Sequence, residues 1–226
     1  MVAQRLDQTP WRAKRWLILA PHPDDETLGT GALIAEAAAE LRLAAVVYLT
    51  DGSGSHSNAD GRARKLVSTR RREAALSLFH LTGTRRHVPV RLDWRDARPE
   101  TQDSMKFKRN VSQLAALCRR LRVDAIAVTA HHEPHCDHAA AAQLAYALSR
   151  TAKRDIQVAE CCVWAAPLPK QTFRLVRTKP MLPGIRRRAL GSHRSQLTPS
   201  YGEGFRLAVE EQRMAVRDTL FLRKRR

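Results

Sequence analysis

The stretch Trp16-Leu17-Ile18-Leu19-Ala20-Pro21-His22-Pro23-Asp24-Asp25-Glu26-Thr27-Leu28-Gly29 decides the fold. Its first five residues form an apolar run too short for a core helix, and they read as a strand buried on both faces. A polar turn with two prolines stops that strand, and over 27–40 Leu28, Ala32, Ala35 and Ala39 recur on one helical face. This is the first half of a βαβ unit, and the pattern repeats downstream. It predicts a strand over 43–49, a Gly/Ser/Asn/Asp-rich loop over 50–61 and an arginine-rich helix over 62–81. A strand over 86–92, a helix over 101–121, a strand over 123–130 and an alanine-rich helix over 138–150 follow. Further strands are predicted over 156–164 and, more weakly, 173–176. Right-handed crossovers of this kind build a mainly parallel sheet with helices on both faces. The expected fold class is therefore α/β, a Rossmann-like three-layer α/β/α arrangement. Helices over 183–195 and 203–219 and a polar Arg-Lys-Arg-Arg tail complete the reading.

The 226 residues suit one domain spanning 1–226, and 43% apolar with 27% charged residues excludes an unstructured chain. Cys118, Cys136, Cys161 and Cys162 form no CxxC pair, which argues against a disulfide framework or a cysteine zinc site and favours a reducing compartment. No apolar run approaches the ~20 residues of a membrane span, and the basic N-terminus precedes no long apolar region. A soluble, cytoplasmic protein is expected. The net charge of +18 is unevenly spread: residues 1–50 carry 5 basic and 6 acidic side chains, residues 166–226 carry 15 and 4. Such a field attracts nucleic acid, anionic lipid headgroups or a phosphorylated substrate, or it is a solvated face. A basic nucleic-acid-binding protein is the rival of another class, but no helix-turn-helix, ribonucleoprotein motif or zinc-finger spacing accompanies the charge. No specific nucleic acid is therefore expected.

In doubly wound sheets, sites form beyond the carboxyl ends of the strands. Two clusters fall at such ends: Ala20 to Glu26 after the first predicted strand, and His131-His132-Glu133-Pro134-His135-Cys136-Asp137-His138 after the fourth. Imidazole with carboxylate is the ligand set of a catalytic zinc, which keeps three protein ligands and an open position. The adjacent Asp24 and Asp25 can divide labour, one on a metal and one on a proton. Alternatively, either aspartate caps the helix that follows.

The residues PHPDDETLGTGALIA resemble the opening signature of the PIG-L/LmbE-like zinc-dependent de-N-acetylases. Thr50-Asp51-Gly52-Ser53-Gly54 is similar to that family's TDG loop, and Arg70 with Glu73 is similar to its RxxE helix. His135-Cys136-Asp137-His138 is similar to its HPDH, and His193-Arg194-Ser195-Gln196 to its HxSQ. The matches span 16 to about 196. The resemblance implies that His22, Asp25 and His138 bind zinc, with iron(II) accepted by the same set. It implies that Asp24 is the general base and that His135 acts as oxyanion donor or acid, with Asp137 orienting one of the histidines. The implied reaction removes an acetyl group from an N-acetylglucosamine-type conjugate. Another acylated conjugate remains open, because the metal chemistry requires only a carbonyl.

Cys136 stands where the family has proline, and Glu133 where some members have tyrosine. Cys136, His131 and His132 are weaker candidate ligands. Asp51 either supports the site or forms an Asx turn before Gly52. Arg70 either reaches substrate oxygens, as the family suggests, or pairs with Glu73 on the helix surface. His193 and Gln196 are expected at the pocket rim against the sugar, unless they are an ordinary polar helix end. Among the scattered tryptophans only Trp94 is expected near the mouth. The basic segment 166–226 is expected to build the rim, which points to an N-acetylated amino-sugar conjugate of anionic character, or to contact with an anionic membrane surface. Oligomeric state is not legible.

Overall fold

The computed structural model describes residues 3–57 and 63–224. Its strands are β1 (Gln4–Arg5), β2 (Trp16–Ala20), β3 (Leu43–Thr50), β4 (Val90–Trp94), β5 (Ala125–Thr129), β6 (Gln157–Cys161), β7 (Phe173–Arg177) and β8 (Thr219–Arg223). The helices are α1 (Asp25–Ala39), α2 (Ala63–Thr82), α3 (Met105–Arg120), α4 (Cys136–Thr151), α5 (Ile185–Leu190) and α6 (Arg194–Leu197). Arg62 and part of the 50–61 loop, like Arg225 and Arg226 of the tail, lie outside the described residues. The strands form one sheet in the order β1-β7-β8-β6-β5-β2-β3-β4, parallel except where β8 runs antiparallel between β6 and β7. The α/β fold class is as the alternation predicts.

All five residues of β2 and of β5 are buried, as central strands covered on both faces must be. One apolar cluster, with Trp16, Ile18, Leu33, Ile34 and Leu78, packs α1 and α2 on one face. The other, with Leu17, Leu19, Phe107, Leu114 and Leu144, packs α3 and α4 on the opposite face. The chain leaves β2 towards β3 on one side, while β5 lies on β2's other side. That is a topological switch point, and the turns after β2 and β5 meet there.

The C-terminal third departs from its sequence reading. The helix expected over 183–195 breaks at Gly191 into α5 and α6, and no helix forms over 203–219. That segment is irregular because its backbone bonds go to distant partners: the Phe205 amide donates to Ser55, the Leu207 amide to Gln196, and Val216 accepts from Met181. It ends in β8, whose Leu220, Phe221 and Leu222 fill the gap between β6 and β7. Three consecutive apolar residues carry no period to distinguish helix from strand. Among the described residues no helix is long and apolar enough to cross a membrane.

Candidate active site

The turn after β2 carries the first half of the site. Asp24 sits at the N-cap of α1, yet its side chain makes no capping bond. Its backbone adopts φ 133°, a conformation that costs a non-glycine residue on the order of 1–3 kcal/mol. Glu26 Oε2 reaches back to accept the Asp24 amide at 2.8 Å, and the Thr27 and Leu28 amides donate to the Asp24 carbonyl. The Asp24 carboxylate is thereby free to line a cavity of about 170 Å3 with His22, Asp25, Arg70, Asp96, His135, His138 and Gln196.

Asp25 Oδ2 lies 3.2 Å from His22 Nδ1 and 3.2 Å from His138 Nε2. One carboxylate oxygen between two imidazole nitrogens is a donor set that fits a single divalent cation, so the three residues expected as ligands do converge. The opposite edge of the His22 ring faces two more carboxylates, Asp137 Oδ2 at 3.0 Å and Asp96 Oδ1 at 3.3 Å. These hold the ring so that Nδ1 is turned to Asp25. A second grouping, His22 with Asp96, His135 and Asp137, is also compact, but Asp137 Oδ2 is already taken by the Ala97 amide and His135 Nδ1 by the Asp137 amide. Asp137 therefore serves His22; His135 Nδ1 is 3.8 Å from it.

Without a cation the carboxylates drive protons onto two of these imidazoles. Burial opposes charge on His138, but Asp25 and Glu133 outweigh it and raise its pKa to about 9. His22 is likewise raised well above its usual value, against burial, by Asp137, Asp25 and Asp96. Asp25 is held down, against the effect of burial, by His138 and His22. Asp24 moves the other way: burial, helped by neighbouring Asp25 and only partly offset by Arg70, raises it to about 6. His135 is lowered by partial burial and by His22. Its Nδ1 caps α4 as an acceptor, which leaves Nε2 as its donor.

Helix α2 presents Arg70, Glu73 and Ser77 at i, i+3 and i+7, a polar stripe turned inward. The surface pair between Arg70 and Glu73 does not form. Arg70 donates to the carbonyls of Gly52 and Pro23, and its guanidinium stands 3.7 Å from Asp24 and 3.8 Å from Asp96. Gly52 has φ 70°, and a Cβ there would stand 2.8 Å from the Arg70 guanidinium, so glycine is required on both counts. Glu73 instead accepts the amide and hydroxyl of Ser195, at 2.8 and 2.5 Å.

Several expected positions change. His193 is not on the rim: it is completely buried, with Nε2 3.0 Å from Glu26 Oε1. Gln196 lines the cavity but is itself buried. Asp51 does not line the cavity; its Oδ1 accepts the Ser53 amide, an Asx turn, and the Asp96 amide at 3.3 Å. Trp94 is a core residue bonded to Asn110, and the aromatic at the mouth is Trp164, tilted edge-on to Phe205. His131, His132 and Cys136 do not line the cavity, and His132 bonds the Ala166 carbonyl. Glu133, in the tyrosine position, accepts the Val163 and Trp164 amides and stands 3.6 Å from His138 Nδ1.

Asp96 is absent from the sequence reading. Its Oδ2 accepts the Gly54 amide, and contact with His22 lowers its pKa to about 2 against the effect of burial. Its only sequence signal is a carboxylate two residues beyond the β4 strand end.

Residues 17–149 match the family profile described as GlcNAc-PI de-N-acetylase, PIG-L. No curated protein sequence matches the chain. Among solved structures the chain is similar to the A40926 pseudoaglycone deacetylase, at TM-score 0.66 and 17% identity over 94% of this chain and 98% of that one. It is similar to the zinc-inhibited form of teicoplanin deacetylase, at 0.63 and 18% over 93% and 98%. It is also similar to N,N'-diacetylchitobiose deacetylase from Pyrococcus horikoshii, at 0.62 and 21% over 84% and 74%. At these identities the structures speak for the fold.

Proposed function

Because the chain belongs to the GlcNAc-PI de-N-acetylase (PIG-L) family, we propose that it is a metal-dependent hydrolase that removes the acetyl group from an N-acetylglucosamine-type conjugate. The observation that carries this reading is the meeting of His22, Asp25 and His138 beside a buried, uncapped Asp24 in a cavity the size of one sugar ring. His22, Asp25 and His138 hold the metal, zinc or iron(II). When bound, it polarises the acetamide carbonyl and lowers the pKa of a water towards 7.

Asp24 takes a proton from the attacking water. In the metal-free site burial raises its pKa to about 6, which makes it a stronger base than an exposed carboxylate. The water oxygen bonds to the acetyl carbon, and His135 donates Nε2–H to the oxyanion that develops. Because Nδ1 of His135 is occupied by an amide, a second proton on that ring would break the α4 cap, so Asp24 returns its proton to the departing nitrogen. The C–N bond breaks, giving the free amine and acetate. Arg70 and Asp96, 3.8 Å apart beside Asp24 and His22, bind sugar hydroxyls, and Gln196 closes the wall.

A second cavity supports a reading of the carrier. A groove of about 720 Å3 shares Trp164 with the catalytic cavity and is lined by Lys170, Arg177, Arg213 and Arg217 beside Leu168, Leu175 and Met214. None of these four cations has a carboxylate within ion-pair distance among the described residues, although Glu210 and Glu211 also line the groove. An anionic aglycone suits it, in a cytoplasmic enzyme working on a soluble conjugate or at an anionic membrane surface.

The test is acetate release by protein loaded separately with zinc and iron(II), against a panel of free, phosphorylated and lipid-linked N-acetyl amino sugars. Asp24→Asn should keep the metal and lose about 10²- to 10⁴-fold in kcat, whereas His22→Ala and His138→Ala lose the metal. Stoichiometric metal without acetate from any member of the panel overturns the reaction. Equal metal retention in all three variants overturns the roles.

A further inference from the structure

Glu26 touches neither the cavity nor the metal set, yet it is completely buried and both of its oxygens are in use. Oε1 accepts from the hydroxyls of Thr27 at 2.8 Å and Ser77 at 2.7 Å and faces His193 Nε2 at 3.0 Å. Oε2 accepts the amide of Asp24 at 2.8 Å. The three groups on Oε1 come from α1, from α2 and from a residue 167 positions away in the basic C-terminal segment.

Asp at a helix N-cap ordinarily folds its side chain back onto the first turn. Asp24 does not: φ 133° turns its carboxylate to the cavity, and the strain of that conformation has to be opposed by bonds elsewhere. The bond available to the Asp24 amide is the one to Glu26 Oε2. Saturating Oε1 from three sides prevents the Glu26 carboxylate from rotating away. Buried charge is also costly unless paired, and His193 is the partner that makes the ionised form of Glu26 tenable.

We propose that Glu26 and His193 form a buried clamp whose function is to hold Asp24 in its strained backbone conformation, with its carboxylate in the cavity. They are positioning residues, not catalytic ones, and the C-terminal His193 ties the completion of the fold to the readiness of the base. The inference rests on Asp24 being that base.

The test compares His193→Leu with His193→Gln, whose amide N–H can replace Nε2–H towards Glu26. In His193→Leu, kcat should fall about tenfold or more, since small misplacements of a reacting group are costly. KM should stay within about twofold and the metal stoichiometry unchanged, because neither the ligands nor the sugar contacts are touched. His193→Gln should recover most of kcat. Independently of turnover, the Asp24 amide followed by hydrogen exchange in metal-free protein should exchange about tenfold faster or more in His193→Leu. Ser77→Ala, which removes a single donor, gives a smaller loss of the same kind if His193→Leu does not fold. Unchanged Asp24 exchange overturns the clamp. So does faster exchange with wild-type kcat, or a joint loss of metal, KM and kcat that His193→Gln does not rescue. If the wild type deacetylates nothing, the base reading fails, and the exchange result still decides whether the clamp holds Asp24.

Discussion

Asp137 Oδ2 stands 3.0 Å from His22 Nε2, on the edge of the imidazole opposite the Nδ1 that faces Asp25. A carboxylate in that position fixes the ring's tautomer and its angle and makes the metal-facing nitrogen more basic. Asp137 also accepts the Ala97 amide, so the same residue joins the turns after β4 and β5. Asp137→Ala should therefore weaken metal binding by about 10- to 100-fold, as measured by competition with a chromophoric chelator. Wild-type metal affinity with lost turnover would instead return Asp137 to a role on His135.

Metal uptake should depend steeply on pH. In the metal-free protein His138 carries a proton up to about pH 9, because Asp25 and Glu133 outweigh the effect of burial. A metal binds only the neutral imidazole, so uptake must displace that proton, and the raised His22 adds to the cost. Apparent affinity therefore rises with pH from 6 towards 9, by up to about tenfold per unit for each proton released. Titrations from pH 6 to 9 check this, and a flat profile would rule it out.

The groove beside Trp164 makes a prediction about charge. Reversing Arg213 and Arg217 to glutamate should raise KM for an N-acetyl amino sugar with an anionic aglycone by about tenfold at low salt. KM for a neutral glycoside should not change. High salt should erase the difference, because both arginines are exposed. Equal effects on the two substrates would return the C-terminal basicity to a solvated face.

How much of this was legible in the residues can be judged position by position. The strand at 16–20, the helix after it and the clusters around His22 and His138 are local patterns, and their alternation puts both clusters at strand ends; the switch point itself comes from the sheet order, with β3 and β5 on either side of β2. Asp96 was not legible, because a single aspartate after a strand looks like any loop residue until folding puts it 3.3 Å from His22. Trp94 looked like a mouth residue and is core, because the pleat at the end of β4 turns it towards Asn110. The last strand was hidden as well: Leu220, Phe221 and Leu222 become β8 only because β6 and β7 leave a slot for them.

By itself the sequence determined which side chains can bind a metal and move a proton, and it determined the α/β alternation that gathers them at one sheet edge, because periodicity and motif spacing are properties of neighbours in the chain. Only the tertiary structure decided which of two histidines Asp137 serves, that Arg70 belongs to two carbonyls and not to Glu73, and that His193 lies behind the site against Glu26. Those assignments depend on distances of about 3 Å between residues up to 167 positions apart. At that range a buried charge takes whichever partner packing brings within reach, and the chain order carries no record of the choice.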